Sequence, residues 1–550
     1  MRLGWWLVCV LATSVASAEQ PLDGYLPYVG YTARVRGLDG KSGAKVTSLG
    51  KSRGDRDLWL ITLGRDKADQ KPAWVIVGSV EPDHPAGGEL ALRMAEQIAA
   101  GADGAYAKLL DRITLYVIPR PDPDAIEKCF AAPRRAPGGN GRATDDDRDF
   151  ATGEDPFEDL DGEGWITQVR IADETGGYRA HPDDPRVLVS VDAKKNERGA
   201  YRVLTEGRDN DGDEKFNEDA ADGVNFNRNF TFGYKNLQKG TGPNAVSEPE
   251  SRALAEFLFD RVNVAGVITF TPEDNLFHPW KADGAKDKDK IRTKIATADA
   301  NALELIVDSY KTTHGGKDCP SSPAGQGSFS DWAYFHYGRW SLAARAWWIP
   351  KVDEAKKDDE KKEDKRGADE RNVLRWLERE KIDGFSPWKE IQHPDFPGKK
   401  AEAGGIRPFV LLNPPVKELD ALAEKHVKFV AELTDRLPQL KFAEVKAEAL
   451  GGGVYRVTAT VINTGYLPTL SEMAEVTRTA SPLQWELTAP KDTIWLTGRP
   501  RGSQARLEGS GGKAEKTWLL RIPGDVPPSL SLRLSAPAVG AAEVSIPLAK

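Results

Sequence analysis

The sequence predicts an α/β protein with a mixed central sheet flanked by helices, followed by a β-sandwich. Short apolar runs at 58–62, 74–80 and 113–118 have the length of buried strands. Between the second and third runs, residues 88–100 repeat an apolar side chain every four positions, which is the period of a helix. After residue 440 the pattern changes to alternating apolar and polar residues between Gly-rich turns, which is typical of a β-sandwich.

The N-terminus has the pattern of a signal peptide. Arg2 precedes an apolar run at 3–12, and Ala16 and Ala18 occupy the small-residue positions of a cleavage site. We therefore expect residues 1–18 to be removed and the mature chain to be secreted or periplasmic. No apolar run in the sequence approaches the roughly 20 residues that a membrane span requires.

The length of 550 residues predicts more than one hydrophobic core. We assign residues 19–440 to the α/β domain and residues 441–550 to the β-sandwich. The α/β domain carries an acidic, Gly- and Asp-rich insertion at about 140–222 and a mixed-charge insertion at about 351–372. We expect the second insertion to be a solvated loop or a frayed helix.

Charge and cysteine content limit the partners and the redox chemistry. The net charge of -8 excludes nonspecific nucleic-acid binding, which requires a basic surface. Cys9 leaves with the signal peptide, and Cys129 and Cys319 remain. In an oxidising compartment these two form one disulfide or stay as buried thiols, and the sequence leaves both alternatives open.

The acidic insertion contains closely spaced oxygen-bearing side chains around glycines. They are Asp209, Asp211, Asp213 and Asn217 in one stretch and Asp159 and Asp161 in a weaker second one. Calcium takes six to eight oxygen ligands in flexible geometry, so the spacing indicates a calcium site. The twelfth position of the first stretch lacks the Glu of an EF-hand, and a solvated acidic loop is the alternative.

The loop after the predicted strand at 74–80 carries Glu81 and His84, three positions apart. Loops at the carboxyl ends of strands are where open α/β sheets bind ligands. Carboxylate and imidazole are both metal ligands, so the pair indicates a candidate metal site.

Several motifs, in this order, resemble those of the zinc carboxypeptidase family between about Tyr25 and Leu440. They are IVGSVEPDHPAGGELAL, Asp122-Pro123-Asp124-Ala125 in place of the family's Asn-Pro-Asp-Gly, NFNRNF, SEPESRAL and GSFSDWAY. The resemblance implies the carboxypeptidase fold, a zinc cofactor, and hydrolysis at peptide C-termini.

The residues that carry the chemistry in the family are replaced in this sequence. The family's first zinc-binding His falls on Glu81, its Glu on His84, its third ligand on Thr271, and its catalytic Glu on Arg345. A threonine hydroxyl is a poor zinc ligand, and a guanidinium cannot accept a proton. We expect a metal-free site in which Arg345 pairs with Glu81. The alternative is a rearranged zinc site that uses Glu81, His84 and a relocated ligand, either Glu273 or His278.

The substrate-binding side of the family pattern is partly present. Asn227 and Arg228 match the pair that binds the terminal carboxylate, and Arg170 is a weaker match to a further contact. The expected function is binding of peptide C-termini or other carboxylates without hydrolysis. Two alternatives remain: an active metallocarboxypeptidase with the rearranged zinc site, and a non-catalytic surface scaffold that acts through its β-sandwich.

Overall fold

The computed structural model describes residues 18–145, 151–153, 155–217, 222–352 and 366–548. The predicted signal peptide, apart from its last residue, lies outside the described residues, as does most of the mixed-charge insertion. Within the described part of the chain, no helix is long and apolar enough to cross a membrane.

Helices and strands alternate in the first two thirds of the chain, and strands dominate the remainder. The helices are α1 (Tyr28–Arg36), α2 (Pro85–Ala100), α3 (Ala107–Arg112), α4 (Pro123–Lys128), α5 (Pro249–Asp260), α6 (Thr297–His314), α7 (Phe329–Phe335), α8 (Ala368–Glu380), α9 (Val416–Asp435) and α10 (Glu472–Thr477). The strands are β1 (Ala44–Lys51), β2 (Asp57–Leu63), β3 (Ala73–Val77), β4 (Thr114–Ile118), β5 (Gln168–Ala172), β6 (Tyr178–Ala180), β7 (Leu188–Ser190), β8 (Tyr201–Thr205), β9 (Val264–Phe270), β10 (Trp340–Ala344), β11 (Phe385–Ile391), β12 (Ala401–Ile406), β13 (Leu440–Gly451), β14 (Val454–Asn463), β15 (Leu483–Thr488), β16 (Ile494–Thr497), β17 (Arg501–Gln504), β18 (Gly512–Arg521), β19 (Ser529–Ala536) and β20 (Gly540–Pro547).

The central sheet has six strands in the order β1-β2-β4-β3-β9-β10. β1, β2 and β4 pair antiparallel, whereas β4, β3, β9 and β10 are parallel neighbours. Every residue of β3, β4 and β10 is buried, as expected for parallel strands with helices on both faces. The predicted α/β class with a mixed central sheet is confirmed.

The first predicted strand–loop–helix unit is present with shifted ends. The strand predicted at 74–80 is β3, which ends at Val77, and the helix predicted from residue 88 begins at Pro85. Proline at the first helical position is favourable because that residue has no amide hydrogen to satisfy. The apolar face of α2 packs into the main core with Met94 and Ile98 fully buried.

The acidic insertion contains a sheet that the sequence pattern did not predict. β5, β6, β7 and β8 pair with β11 and β12 in an antiparallel sheet of order β11-β12-β5-β8-β6-β7. The strands are short, with β6 and β7 having three residues each, and most are half exposed, so their apolar alternation is weak. β11 and β12 lie some 200 residues further along the chain, and local periodicity cannot report that pairing.

The C-terminal strands form two four-stranded antiparallel sheets, β13-β14-β18-β16 and β17-β15-β19-β20. Their buried residues make one hydrophobic core, separate from that of the α/β part. Trp485 from one sheet and Trp518 from the other lie at its centre, with ring centroids 5.9 Å apart. The β-rich C-terminal structure predicted from the sequence is therefore present.

Cys129 and Cys319 are both buried free thiols. Of the two alternatives that the sequence left open, the structure has the second. Burial raises the pKa of Cys319 to about 12, so this thiol is protonated at neutral pH.

Candidate functional site

The carboxyl ends of three neighbouring parallel strands form the candidate site. Glu81 and His84 follow β3, Thr271 follows β9, and Arg345 follows β10. Because these strands lie side by side in the order β3-β9-β10, the sheet brings the four positions together. The Thr271 amide donates to the carbonyl of Ala344 at 3.3 Å, which continues the strand pairing up to Arg345.

A tight turn between β3 and α2 places His84 at the start of the helix. Ser79 has a left-handed φ of 44°, and its hydroxyl donates to the His84 carbonyl at 2.8 Å while accepting from the Gly88 amide at 2.7 Å. Strand and helix approach so closely that a Cβ on Gly78 would lie 2.4 Å from the carbonyl oxygen of Gly87. The two glycines are therefore required by the close approach of strand and helix.

Glu81 is held by two side-chain amides rather than by an arginine. Asn225 Nδ2 donates to Glu81 Oε2 at 3.0 Å, and Asn227 Nδ2 donates to Glu81 Oε1 at 2.7 Å. Within the described ranges, no ion pair joins Glu81 to Arg345. The expected Glu81–Arg345 pair is therefore wrong, because neutral amides from the NFNRNF segment already stabilise both carboxylate oxygens.

Glu273 lies beside Glu81 and shares the same amide. Asn227 Nδ2 also donates to Glu273 Oε1 at 2.9 Å, and the Ser330 hydroxyl donates to Glu273 Oε2 at 2.7 Å. Burial and the neighbouring Glu81 charge raise the pKa of Glu273 to about 8. Glu273 is thus mostly protonated at pH 7, which limits the negative charge buried beneath the cleft.

Arg345 has no acidic partner within ion-pairing distance among the described residues. Its backbone amide donates to Asp274 Oδ2 at 3.3 Å, whereas its buried Nε has no hydrogen-bond partner. Burial lowers the pKa of Arg345, yet an arginine remains charged at neutral pH. The guanidinium borders a cavity of about 680 Å³ between the two sheets of the α/β part.

The other arginines of this large cavity are compensated. Arg186 pairs with Asp184 at 2.7 Å, and Arg407 pairs with Asp383 at 2.6 Å. Asp83, Glu370, Gln168 and Tyr178 also line this cavity, and apolar side chains supply most of the rest, namely Val187, Leu188, Val203, Leu374, Phe385, Trp388, Ile406, Phe409, Leu411 and Leu412. The cavity is therefore mainly apolar. Of its three arginines, Arg345 is the one without an ion pair among the described residues.

His84 is buried and neutral. Burial, together with the positive charge of Arg345, lowers the pKa of His84 to about 3. Its Nδ1 is buried without a hydrogen-bond partner. The imidazole and the Arg345 guanidinium thus each present one unsatisfied nitrogen in the same region of the site.

A second cavity of about 280 Å³ adjoins the first. Glu81, Asn225 and Arg228 line the second cavity, and Asp83 lines both. Arg228 is exposed and donates from Nη1 to the carbonyl of Lys239 at 3.0 Å. Burial and the charge of Glu81 raise the pKa of Asp83 to about 7, so Asp83 is partly protonated at neutral pH.

Of the predicted substrate-binding residues, Arg228 is the one that reaches a cavity. Asn227 is 1% exposed, and its three side-chain hydrogen bonds, two to carboxyl groups and one from the Phe329 amide, are internal. Arg170 pairs with Glu402 at 2.8 Å and is absent from both cavity linings. Asp83 was missed, although its place beside His84 was a usable sequence signal.

The fold brings together two of the four residues in the first predicted calcium-binding stretch, Asp209 and Asp211. One carboxylate oxygen from each of Asp209 and Asp211 lies within 4.8 Å of one from Asp155, which the sequence analysis missed. Asp213 pairs with the neighbouring Lys215, and Asn217 Nδ2 donates to the Thr205 carbonyl at 3.3 Å. Asp155 lies 54 residues before Asp209, so no local spacing pointed to it.

The second predicted stretch converges on a different carboxylate. Asp159 and Asp161 each place a carboxylate oxygen within 4.8 Å of one from Glu206. Glu206 is buried, and burial raises its pKa to about 6. Glu206 was also missed by the sequence analysis, again because it is distant along the chain.

The fold, with a cleft at the carboxyl ends of β3, β9 and β10, is carboxypeptidase-like. The family model for zinc carboxypeptidases matches residues 39–181 and 191–347, more than half of the chain. The chain belongs to the zinc carboxypeptidase family. Residues 439–547 match a family described as a domain of unknown function, DUF8731. No curated protein matches the chain in sequence.

The solved structures that match the chain have low sequence identity and TM-scores below 0.5. Bovine thrombin-activatable fibrinolysis inhibitor, in complex with tick carboxypeptidase inhibitor, is 10% identical with a TM-score of 0.38, over 74% of this chain and 96% of that one. Carboxypeptidase A from Helicoverpa armigera is 13% identical with a TM-score of 0.38, and the match covers 74% of this chain and 73% of that one. A metallo-carboxypeptidase from Burkholderia cenocepacia is 13% identical with a TM-score of 0.31, over 58% and 59%.

Family membership implies zinc, but the residues at the family's ligand positions do not fit it. Catalytic zinc needs three converging protein ligands. Among the described residues, neither Glu81 nor His84 belongs to a group of three His, Cys, Asp or Glu side chains whose ligand atoms converge within 4.8 Å. Thr271 supplies a neutral hydroxyl, and the positive charge of Arg345 acts directly on His84. The unpartnered Nδ1 of His84 is one possible metal ligand, which by itself does not make a metal site.

Proposed function

We propose that the cleft at the ends of β3, β9 and β10 binds a peptide C-terminus or another carboxylate ligand without hydrolysing it. The observation that carries this proposal is Arg345. Its charge is uncompensated by any described acidic side chain within ion-pairing distance, and it faces a mainly apolar cavity of about 680 Å³. A half-buried guanidinium without a partner is energetically costly, and a carboxylate accepts its paired hydrogen bonds.

The chemistry of the neighbouring groups supports binding rather than cleavage. Arg345 stands where the family has its general base, and a guanidinium cannot take a proton from water. A carboxylate at Arg345 also offers an acceptor to His84 Nδ1, which is buried and unpartnered. Arg228 in the adjoining cavity provides a second cation for a longer anionic ligand.

The test compares two ligands that differ only at the carboxylate. We expect an acetylated Ala-Ala-Phe tripeptide with a free C-terminus to bind the full-length mature chain in isothermal titration calorimetry, and its C-terminal amide to bind at least about tenfold more weakly. Arg345→Met should weaken binding of the free acid by about tenfold or more, which is about 1.4 kcal/mol. Arg521→Met, at an exposed position of β18, is the matched control and should leave the affinity unchanged.

Metal content and hydrolysis are measured on the same preparation, purified without chelator. Stoichiometric zinc together with release of the terminal Phe contradicts the proposal and supports the rearranged metallocarboxypeptidase. Equal affinity for the acid and the amide, or no binding of either, also contradicts it. Absence of both binding and hydrolysis leaves the third alternative, a scaffold that acts through the C-terminal sheets.

We further propose that the protein acts after export, on the pattern of residues 1–18 alone. Expression with the native N-terminus in a bacterium should give a periplasmic or secreted chain whose first residue is Glu19. Mass spectrometry of the intact protein checks this. A cytoplasmic chain that retains Met1 contradicts export.

A further inference from the structure

Three carboxylates converge at the turn of the acidic insertion, and none of them lines either of the two cavities described above. One oxygen from each of Asp155, Asp209 and Asp211 lies within 4.8 Å of the others. Asp209 and Asp211 belong to one tight loop, whereas Asp155 comes from a separate segment 54 residues earlier. Convergence of like charges from two segments opposes folding unless a cation neutralises them.

Asp155 provides an independent observation that points to a ligand. It is 1% exposed, and its Oδ1 accepts from the Asn210 amide at 2.7 Å, which anchors it against the loop. Its Oδ2 is buried and has no hydrogen-bond partner within the part of the chain that the structure describes. A buried carboxylate oxygen without a partner is unfavourable, so this atom requires a proton or a cation.

The electrostatic surroundings favour a cation over a neutral partner. Burial raises the pKa of Asp155, and the charges of Asp211, Asp209 and Asp213 raise it further, against the opposing hydrogen bond from Asn210. Among the described residues, no positively charged side chain is one of the main causes of this shift. Of these aspartates, Asp209 and Asp211 can act as oxygen ligands when a divalent cation is present, whereas Asp213 pairs with Lys215.

The loop itself is organised before a cation binds. Asp209 Oδ1 accepts from the Gly212 amide at 2.6 Å, and Asp209 Oδ2 accepts from the Glu214 amide at 2.9 Å. Gly212 has a left-handed φ of 88°, with open space where a Cβ would lie. Asp209 and Asp211 are therefore positioned by the backbone of their own loop, and little ordering remains to oppose binding.

We propose that Asp155, Asp209 and Asp211 form a calcium site that joins the loop at 209–217 to the segment containing Asp155. The donor set is all oxygen, which suits a hard cation and excludes a thiolate- or imidazole-preferring metal. The site is independent of the cleft and of the function proposed for it.

The second acidic group, formed by Asp159, Asp161 and Glu206, is not assigned a cation. Its buried member, Glu206, is satisfied by the protein: Oε1 accepts from the Leu160 amide at 2.8 Å, and Oε2 accepts from the Thr167 amide at 2.9 Å. The relevant difference between the two groups is the Oδ2 atom of Asp155, which has no hydrogen-bond partner among the described residues. The second group therefore serves as a control for the first.

The test uses the full mature chain, stripped with EDTA and desalted, and calcium alone as the probe. Calorimetric titration should show one calcium ion per chain, and calcium should raise the midpoint of thermal unfolding. Asp155→Asn and Asp211→Asn should each weaken calcium affinity by about tenfold or more. Because Asp211 is exposed, its variant tests the site even if Asp155→Asn fails to fold.

Two control variants separate the site from general charge effects. Glu158→Gln removes the same charge from a residue that pairs with Arg208 at 2.8 Å, and should leave calcium binding unchanged. Glu206→Gln should also leave it unchanged. The proposal is overturned if calcium does not bind, if magnesium binds equally well, if Asp211→Asn keeps wild-type affinity, or if Glu206→Gln is the variant that abolishes binding.

Discussion

Replacing Asn227 with alanine should lower the free energy of unfolding by about 4 kcal/mol. Its side chain is 1% exposed and makes three internal hydrogen bonds: to Glu81 at 2.7 Å, to Glu273 at 2.9 Å, and from the Phe329 amide at 2.8 Å. Two of these involve carboxyl groups, which are costly to leave without a donor. Urea unfolding followed by tryptophan fluorescence measures the loss.

Two further variants define the origin of this effect. Asn244→Ala, at an exposed amide that donates to its neighbour's carbonyl, should change stability by less than about 0.5 kcal/mol. Asn227→Asp should be at least as destabilising as alanine, since it adds a third carboxyl group beside Glu81 and Glu273. If Asn227→Ala keeps full stability but loses binding of the free-acid tripeptide, the side chain contacts the ligand directly and its structural role is refuted.

Replacing Asp299 with alanine should lower the free energy of unfolding by about 4 kcal/mol. Asp299 in α6 is fully buried and accepts three hydrogen bonds: from the Glu472 amide at 2.7 Å, the Met473 amide at 3.1 Å and the Tyr334 hydroxyl at 2.8 Å. The first two donors lie at the start of α10, so Asp299 joins the α/β part to the C-terminal part. The substitution leaves all three donors buried without an acceptor.

Differential scanning calorimetry and urea unfolding together measure this effect. Asp299→Asn keeps one acceptor oxygen and should lose about half as much stability as alanine. Asp308→Ala, an exposed position on the same helix, should stay within about 0.5 kcal/mol of the wild type. Equal stability of the Asp299 and Asp308 variants contradicts the proposed junction.

The order of strands and helices around the cleft was predictable because each element carries its own local pattern. The apolar run of β3, the four-residue repeat of α2 and the motif order from IVGSV to DWAY identified the α/β class and the family. The structure brings Glu81, His84, Thr271 and Arg345 to the same edge of the sheet, since they come after strands that lie side by side. Their correspondence to the family's zinc ligands and catalytic base stays a prediction.

The partners of those residues were not predictable. Arg345 was expected to neutralise Glu81, but two amides that lie 144 and 146 residues away along the chain hold that carboxylate instead. Similarly, Asp155 and Glu206 join the two acidic groups from segments that are distant along the chain. Strands β5–β8 form one sheet with β11 and β12, which also lie far away in the sequence. None of these pairings leaves a periodic signal.

By itself, the sequence determined the class of fold and the family, because residue identity and spacing carry that information locally. The tertiary structure alone decided which charges are compensated. Within the described part of the chain, it left Arg345 without an ion pair and Asp155 Oδ2 without a hydrogen-bond donor, because electrostatic and hydrogen-bond balance depends on groups that only folding brings together.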